Sequence, residues 1–445
     1  MKNTLPRGHK KLLHAWAFYD WANSVYSLVI TSAIFPIFYS VVSKTAYEEG
    51  NVPTFLKDVN NENIIFVTTA IAFLVVSILS PILSGIADYS GQKKRFMQFF
   101  CYLGGVCCIG LAFFSFDYLW FSLTMYFLAL IGFWGSLVFY NSYLPDVALP
   151  EQQDATSAKG FSLGYLGSVI LLIFCLAMNE FGLYPESGKL FGFTAVQMSF
   201  ILVGIWWMGF AQYTYAYLPL GNKKDTSKVR NIFTNGFKEL QKIWEQLGDN
   251  RQMKRYLAAF FVYSMAVQTV MLVATYFGTE EVEWEEGGAT MGLIVSILLI
   301  QIVAIAGAFI ASKLSNSFGN INVLIGINII WVAICIYGYF VYSPMQFYLT
   351  AAAVGFVMGS IQSLSRSTFS KMIPEGNPDT ASYFSFYDVS EKIGIVIGMT
   401  IFTLVTQWSG SMRGSILFLV VFFAIGVILL LRVPRIKTST ISIDD

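Results

Sequence analysis

The stretch NIIFVTTAIAFLVVSILSPILSGIADYSGQKKR, residues 63–95, joins a long apolar run to a short turn that ends in three basic residues. The apolar part, residues 63–87, is long enough to cross the hydrocarbon core of a bilayer as a helix. Gly91 permits a tight turn after it, and the Lys-Lys-Arg run that follows favours the cytoplasmic face of a membrane. The stretch therefore predicts a membrane-spanning helix that ends in the cytoplasm.

The composition of the whole chain agrees with this interpretation. Its 445 residues are 56% hydrophobic, 17% aromatic and only 12% charged, which does not suit a water-facing surface. Apolar runs of 18 or more residues predict twelve spanning helices. They lie at 14–42, 63–87, 96–116, 118–143, 160–178, 192–217, 256–278, 289–312, 321–342, 344–364, 382–407 and 412–432. We expect an all-α membrane protein.

The distribution of basic residues tests that count independently. If both termini are cytoplasmic, four of the 28 Lys and Arg residues fall in outside loops and one, Lys392, lies within a span, so 23 lie on the inside. This excess is the positive-inside pattern. We therefore expect a multi-pass protein of a bacterial inner membrane, monomeric and surrounded by lipid, with both termini in the cytoplasm and no nucleic-acid partner.

A polar segment divides the twelve spans into two groups of six. The predicted domains are an N-terminal six-helix bundle (1–218), a cytoplasmic linker (219–255) and a C-terminal six-helix bundle (256–445). Apolar residues at three- and four-residue spacing in the linker predict an amphipathic helix at the membrane surface. It serves either as a tether or as a surface for a regulatory partner.

An internal repeat relates the two groups of spans. The turn Asp-x-x-Gly at 88–91 recurs as Asn-x-x-Gly at 316–319, at an offset of 228. Leu-Pro-Asp at 144–146 recurs as Ile-Pro-Glu at 373–375, at an offset of 229. Two matches at nearly one offset, in equivalent loops, predict parallel halves that rock around a central site.

Several motifs in a fixed order carry a resemblance to a known family. The turn at 84–95 resembles the signature loop of the major facilitator superfamily, with Ser84 at the place of its first glycine. The other motifs are FYDWANS (18–24), NSYLPD (141–146), SAKGF (157–161), GYLG (164–167), GSIQSLSRS (359–367) and FSFYD (384–388). Together they resemble the vacuole-effluxer-like branch of that superfamily.

This resemblance implies the major facilitator fold, with twelve helices in two six-helix bundles. It also implies a secondary active transporter of a small solute that works by alternating access. Fungal members of the branch are similar to exporters of neutral amino acids from the vacuole, so neutral amino-acid efflux is implied by kinship. Proton coupling, the direction of transport and the substrate stay open.

Ionisable residues within spans are expensive to bury, about 2.5–3.5 kcal/mol each at a helix centre, so we expect them to be paired and functional. The candidate coupling and gating residues are Asp20, Asp88, Arg366, Asp388, Glu391 and Lys392. All but Asp88 are predicted to form one polar network in the cytoplasmic half that breaks when access changes. In the alternative, Asp388 and Lys392 are a static pair and Asp20 caps a neighbouring helix.

Hydrogen-bonding side chains on the helices that line the cavity in relatives are candidate substrate contacts. They are Asn23, Tyr26, Tyr140, Asn141, Tyr263, Gln268 and Gln362. Each has an alternative role in packing or in an interhelical bond. The only histidines, His9 and His14, lie at the start of the first span, so a coupling proton must be carried by a carboxylate.

Other chemistry finds little support in the sequence. The five cysteines lie in apolar stretches, which indicates buried side chains rather than a metal site or disulfides. We find no zinc-protease motif, no membrane-embedded serine and histidine pair and no phosphate-binding loop, so we expect no catalytic residues, cofactor or enzymatic activity. A non-transporting receptor or scaffold on the same fold stays open as the alternative, and an intramembrane enzyme is a weaker one.

Overall fold

The computed structural model of the protein describes residues 5–50, 52, 61–180, 184, 189–221 and 232–434. This part of the chain contains twelve helices that are long and apolar enough to span a membrane, which confirms the predicted number. TM1 to TM12 are Lys10–Glu48, Asn61–Ser90, Lys93–Gly110, Leu119–Ser142, Gln153–Glu180, Ala195–Tyr217, Arg251–Glu281, Ala289–Phe318, Asn320–Gly338, Pro344–Met372, Thr380–Ser409 and Met412–Leu431.

Two helices extend well beyond their predicted apolar runs. TM5 begins at Gln153 instead of residue 160, and TM10 ends at Met372 instead of residue 364. The additional turns carry Asp154 and Lys371, which form an ion pair with each other. Because the two charges are paired across the helices, these polar turns need no exposure to water, and hydropathy alone underestimates both helices.

TM1 changes its helical winding midway. An α-helical segment, Lys10–Val25, is followed by a π-helical segment, Tyr26–Ile34, and then by a second α-helical segment, Phe35–Glu48. Pro36, in the first turn of the last segment, has no backbone N–H to donate to the preceding turn, which favours a local rearrangement of the hydrogen bonds. Such π segments are frequent at functional sites.

The helices form two six-helix bundles, each with its own apolar core. One core contains the large side chains of TM1 to TM6, such as Trp16, Phe139 and Trp207, and the other contains those of TM7 to TM12, such as Trp331 and Phe423. The internal repeat is visible in the helices themselves. TM2 and TM8 are both 30 residues long, and both of their ends are separated by 228 positions.

The linker contains the predicted helix, Ile232–Asp249, which we call the linker helix. It packs against TM2, and Ile243 and Leu247 are buried. The Tyr383 hydroxyl of TM11 donates to Gln246 at 2.9 Å. Two described residues of its apolar face, Ile243 and Leu247, therefore rest on protein, and the helix contacts both bundles. The side chains of the predicted apolar positions 233, 237 and 240 lie outside the described ones.

Candidate functional site

Polar side chains meet between the two bundles near the linker helix, and we call this end of the molecule the linker side. It contains the TM2–TM3 turn, the end of TM10 and the start of TM11. The largest group of contacts is centred on Arg366 of TM10, which reaches across to TM1, TM4 and TM5 of the other bundle.

The Arg366 guanidinium makes its ion pair with Asp20. Nη1 and Nη2 lie 3.2 and 3.1 Å from the same oxygen, Asp20 Oδ2. The Tyr140 hydroxyl donates to that oxygen at 2.8 Å. The other donors of Arg366 bind the Asn141 side chain at 3.2 Å and the Ser157 hydroxyl and carbonyl oxygens, both at 3.0 Å. We call these five residues the arginine cluster.

All five N–H groups of Arg366 are used in this cluster. The guanidinium is buried under the rings of Trp16 and Phe161, which lie 4.8 and 4.1 Å from it. An arginine whose charge is balanced and whose donors are all bound has no group left for a solute carboxylate. The cluster joins the two bundles in this structure.

A second group of ions lies on TM11. Lys392 Nζ is 2.9 Å from Asp388 Oδ1 and 2.9 Å from Glu391 Oε2. Three side chains from other helices complete this lysine cluster. Ser80 of TM2 donates to Asp388 at 3.4 Å, Gln268 of TM7 donates to Glu391 at 2.7 Å, and the Trp134 ring of TM4 lies 3.5 Å from the ammonium.

The single network expected from the sequence is thus divided in two. Asp20 and Arg366 form one cluster, and Asp388, Glu391 and Lys392 form the other. The division arises because Arg366 is directed toward TM1, whereas Lys392 is held by its own helix one residue and four residues away. Asp20 does not cap a helix, because its partners are the side chains of Tyr140 and Arg366.

Asp88, at the end of TM2, binds the start of TM11. Its carboxylate accepts hydrogen bonds from the backbone N–H groups of Ala381 and Ser382 at 3.2 and 2.7 Å and from the Ser382 hydroxyl at 2.8 Å. The first N–H groups of a helix have no partner within it and favour a negative charge. Asp88 therefore caps a helix of the opposite bundle, and we call this contact the TM2–TM11 latch.

Lys93 adds a second contact to this latch. Its ammonium lies 2.5 Å from Asp146 Oδ2 and 2.5 Å from the Thr380 hydroxyl oxygen. Asp146 belongs to the same bundle as Lys93, whereas Thr380 begins TM11 of the other bundle. Lys93 of the basic turn therefore contacts both bundles.

The sequence reasoning missed Asp154, which forms a second latch. Its carboxylate accepts from Ser315 of TM8 at 2.7 Å, from Asn320 of TM9 at 2.9 Å and from Lys371 of TM10 at 2.6 Å. The repeat offset of 228 contained the signal, since it relates Asp154 to Ser382 in the TM2–TM11 latch. We call this contact the TM5–TM8 latch.

The predicted substrate contacts lie in four different environments. Tyr140 and Asn141 belong to the arginine cluster, and Gln268 belongs to the lysine cluster. Gln362 accepts from Tyr165 across the bundles at 2.7 Å. The remaining three are buried within a single bundle: Tyr26 packs on Phe133 and Trp207, Tyr263 bonds Ser365 and Tyr256, and Asn23 is 1% exposed.

The cysteines are all buried and free, as expected. Within the described ranges, no group of three or more His, Cys, Asp or Glu side chains is arranged to hold a metal ion.

The chain is similar to known proteins over most of its length. Residues 8–440 match the family model described as "Vacuole effluxer Atg22 like". The MFS-type transporter YxiO of Bacillus subtilis is 32% identical over 428 residues, which are 96% of this chain and 95% of that protein. Autophagy-related protein 22-2 of Aspergillus oryzae is 26% identical over 319 residues, which are 65% of this chain and half of the fungal protein.

Solved structures show the same fold. The human organic anion transporter MFSD10 has a TM-score of 0.72 at 10% identity, covering 95% of this chain and 99% of that chain. The transporter FucP in its outward conformation has a TM-score of 0.66 at 14% identity, covering 96% and 99%. FucP is described as a Major Facilitator Superfamily transporter, and both likenesses concern the fold.

Proposed function

The chain belongs to the Vacuole effluxer Atg22 like family of major facilitator transporters, and from this premise we propose that it exports neutral amino acids by alternating access. Membership supports a secondary transporter of a small solute in an integral multi-pass membrane protein. The proposal adds the substrate class, the direction and the parts of the molecule that alternate.

One observation carries the mechanism: the interhelical ion pairs on the linker side join the two bundles. There are two such pairs, Asp20 with Arg366 and Asp154 with Lys371. In each pair the carboxylate belongs to the first bundle and the cation to the second. Because these ion pairs join the bundles, the linker side is closed in this structure. Polar contacts can be exchanged for water, so breaking these pairs opens the linker side toward the solute.

The substrate class rests on kinship. The family description names effluxers, and the fungal relatives are named as autophagy-related proteins. The resemblance of the fungal members to exporters of neutral amino acids supports a neutral amino acid as the solute.

The orientation follows from the basic residues. We place the linker side, with both termini, in the cytoplasm of a bacterial cell, because the positive-inside pattern favours it. The domains proposed are the bundles 1–218 and 256–445, joined by the linker 219–255.

A counterflow screen in proteoliposomes tests the function. Vesicles preloaded with each unlabelled neutral amino acid are diluted into a trace of the same labelled compound, and transient accumulation reports exchange. The Arg366→Ala variant should lose it. The proposed substrate class is wrong if acidic or basic amino acids, or other metabolites, exchange while neutral ones do not. Binding without exchange of any compound supports the receptor alternative instead.

A further inference from the structure

The lysine cluster contains two carboxylates and a single cation. Lys392 is 0% exposed, and the side chains of Asp388 and Glu391 are 6% and 19% exposed. The charges that act on Lys392 come from Asp388 and Glu391, and those that act on Asp388 come from Lys392 and Glu391. With all three groups ionised, the cluster would carry one excess negative charge inside the protein.

The surrounding helices offer no second cation to balance that charge among the described side chains that touch the cluster. TM2 contributes the Ser80 hydroxyl, TM4 the Trp134 ring, and TM7 the Gln268 amide. The neutral phenols of Tyr263 and Tyr387 lie within electrostatic range of Glu391. Arg366 acts on Tyr387 as well, but its charge is balanced by Asp20. Lys392 itself is fully engaged by two carboxylates and the face of an aromatic ring.

An unbalanced charge in a low-dielectric interior is far more costly than a neutral group there, and a carboxylate escapes that cost by binding a proton. We propose that Asp388 and Glu391 together hold one coupling proton, and that Glu391, the more exposed of the two, exchanges it with water. This inference rests on the proposed function, because it assigns the ion that drives transport to one site.

The position of the cluster links the proton to the movement of the bundles. Ser80 and Trp134 belong to the first bundle, whereas Asp388, Glu391, Lys392 and Gln268 belong to the second. When the bundles separate, Asp388 loses its hydroxyl partner, Lys392 loses its aromatic cover, and water reaches all three ions. The carboxyl O–H bond then breaks, the electron pair stays on the carboxylate, and water accepts the proton.

Infrared spectroscopy on the purified full-length protein in liposomes tests the proton directly. A protonated carboxyl group shows a C=O stretching band that a carboxylate lacks. We expect the wild type to show a band that disappears on alkalinisation. The variants Glu391→Gln and Asp388→Asn should each lose the whole band, because either one leaves a balanced pair with Lys392. The exposed Glu375→Gln is the matched control and should keep it.

The shared-proton site is excluded if the band persists in either variant, or if the wild type shows none that depends on these two residues. A role for Glu391 in structure alone would leave the band of Asp388 unchanged in the Glu391→Gln variant.

Transport measurements separate this inference from the proposed function. If wild-type vesicles exchange neutral amino acids and accumulate them under a pH gradient, Glu391→Gln should lose the gradient-driven part. Wild-type exchange with no response to a pH gradient refutes the coupling proton and leaves the proposed function standing. No exchange of any neutral amino acid refutes the proposed function, while the infrared result still decides whether the proton is bound.

Discussion

The arginine cluster and the lysine cluster are both buried between the bundles, yet their charges are balanced differently. Arg366 faces one carboxylate and uses every donor, whereas Lys392 faces two carboxylates. A balanced cluster is stabilised as it stands and resists change. A cluster with one carboxylate too many needs a further positive charge, such as the proposed proton. Whether that proton is bound can then depend on the surroundings of the cluster. The number of charges, rather than burial alone, therefore distinguishes the arginine cluster from the proposed proton-binding site.

The largest expected difference between the two clusters is the stability that the protein loses when one charged side chain is removed from each. Arg366→Ala leaves Asp20 buried without a cation and should lower the free energy of unfolding by about 3–5 kcal/mol. Glu391→Gln leaves Asp388 and Lys392 as a matched pair and should cost only about 0.5–1.5 kcal/mol, the net contribution of one hydrogen bond that it weakens. Denaturant titration of the purified protein, followed by tryptophan fluorescence, measures both.

The double variant Asp20→Asn with Arg366→Gln removes both charges and serves as the control. It should recover a large part of the stability lost in Arg366→Ala. If Glu391→Gln is as destabilising as Arg366→Ala, the two clusters do not differ in the way described, and the comparison fails.

A steric test sharpens the comparison without changing a charge. A Cβ atom on Gly160 would lie 2.5 Å from Asp20 Oδ2 and 3.0 Å from Arg366 Nη2. Gly160→Ala should therefore displace the ion pair and cost about 1–3 kcal/mol of stability, as overpacking does elsewhere. The apparent Tm in detergent measures this loss. Gly209→Ala, where nothing lies within 4 Å, is the matched control and should leave the Tm unchanged.

The TM5–TM8 latch should weaken when its carboxylate is lost. Asp154→Asn removes the charge that binds Lys371 and should weaken the closed linker side by about 1–3 kcal/mol. Spin labels on the exposed linker-side ends of the two bundles should show a larger share of long distances by electron paramagnetic resonance. The exposed Glu151→Gln, a few residues away, should not alter the distribution. An unchanged distribution in Asp154→Asn would show that this contact does not hold the halves together.

The smallest effect is expected where the linker helix meets TM11. Tyr383→Phe removes one hydrogen bond, to Gln246, and should cost about 0.5–1.5 kcal/mol. Hydrogen exchange of residues 232–249 should become faster by the factor that corresponds to this loss of free energy, while the exchange rate in TM12 stays constant. Tyr118→Phe, at a 71% exposed position, is the control. Equal protection in both variants would mean that this bond does not retain the helix.

Much of this architecture was readable from the sequence because a bilayer imposes simple rules. Apolar runs gave the twelve helices, but the polar turns of TM5 and TM10 were assigned to loops. Hydropathy treats Asp154 and Lys371 as breaks, and only three-dimensional pairing shows that each satisfies the other. A one-dimensional pattern carries no information on such partners.

The candidate site was predicted in part. Ionisable residues within spans attract attention by their cost, so Asp20, Arg366 and Lys392 were found from the sequence. Three of their partners, Ser80, Trp134 and Ser157, were not predicted as site residues, because they are ordinary side chains that gain importance only by position. For the same reason, the sequence could not show that the five expected network members divide between two centres.

The linker helix, described above as resting on TM2 and TM11, is covalently joined to both bundles that it touches. Its docking is therefore unimolecular, with a local concentration on the order of millimolar that does not depend on how much transporter the membrane contains. A free peptide of the same sequence would compete only at comparable concentrations. Any cellular factor that removes this helix must consequently either bind it tightly or modify it chemically.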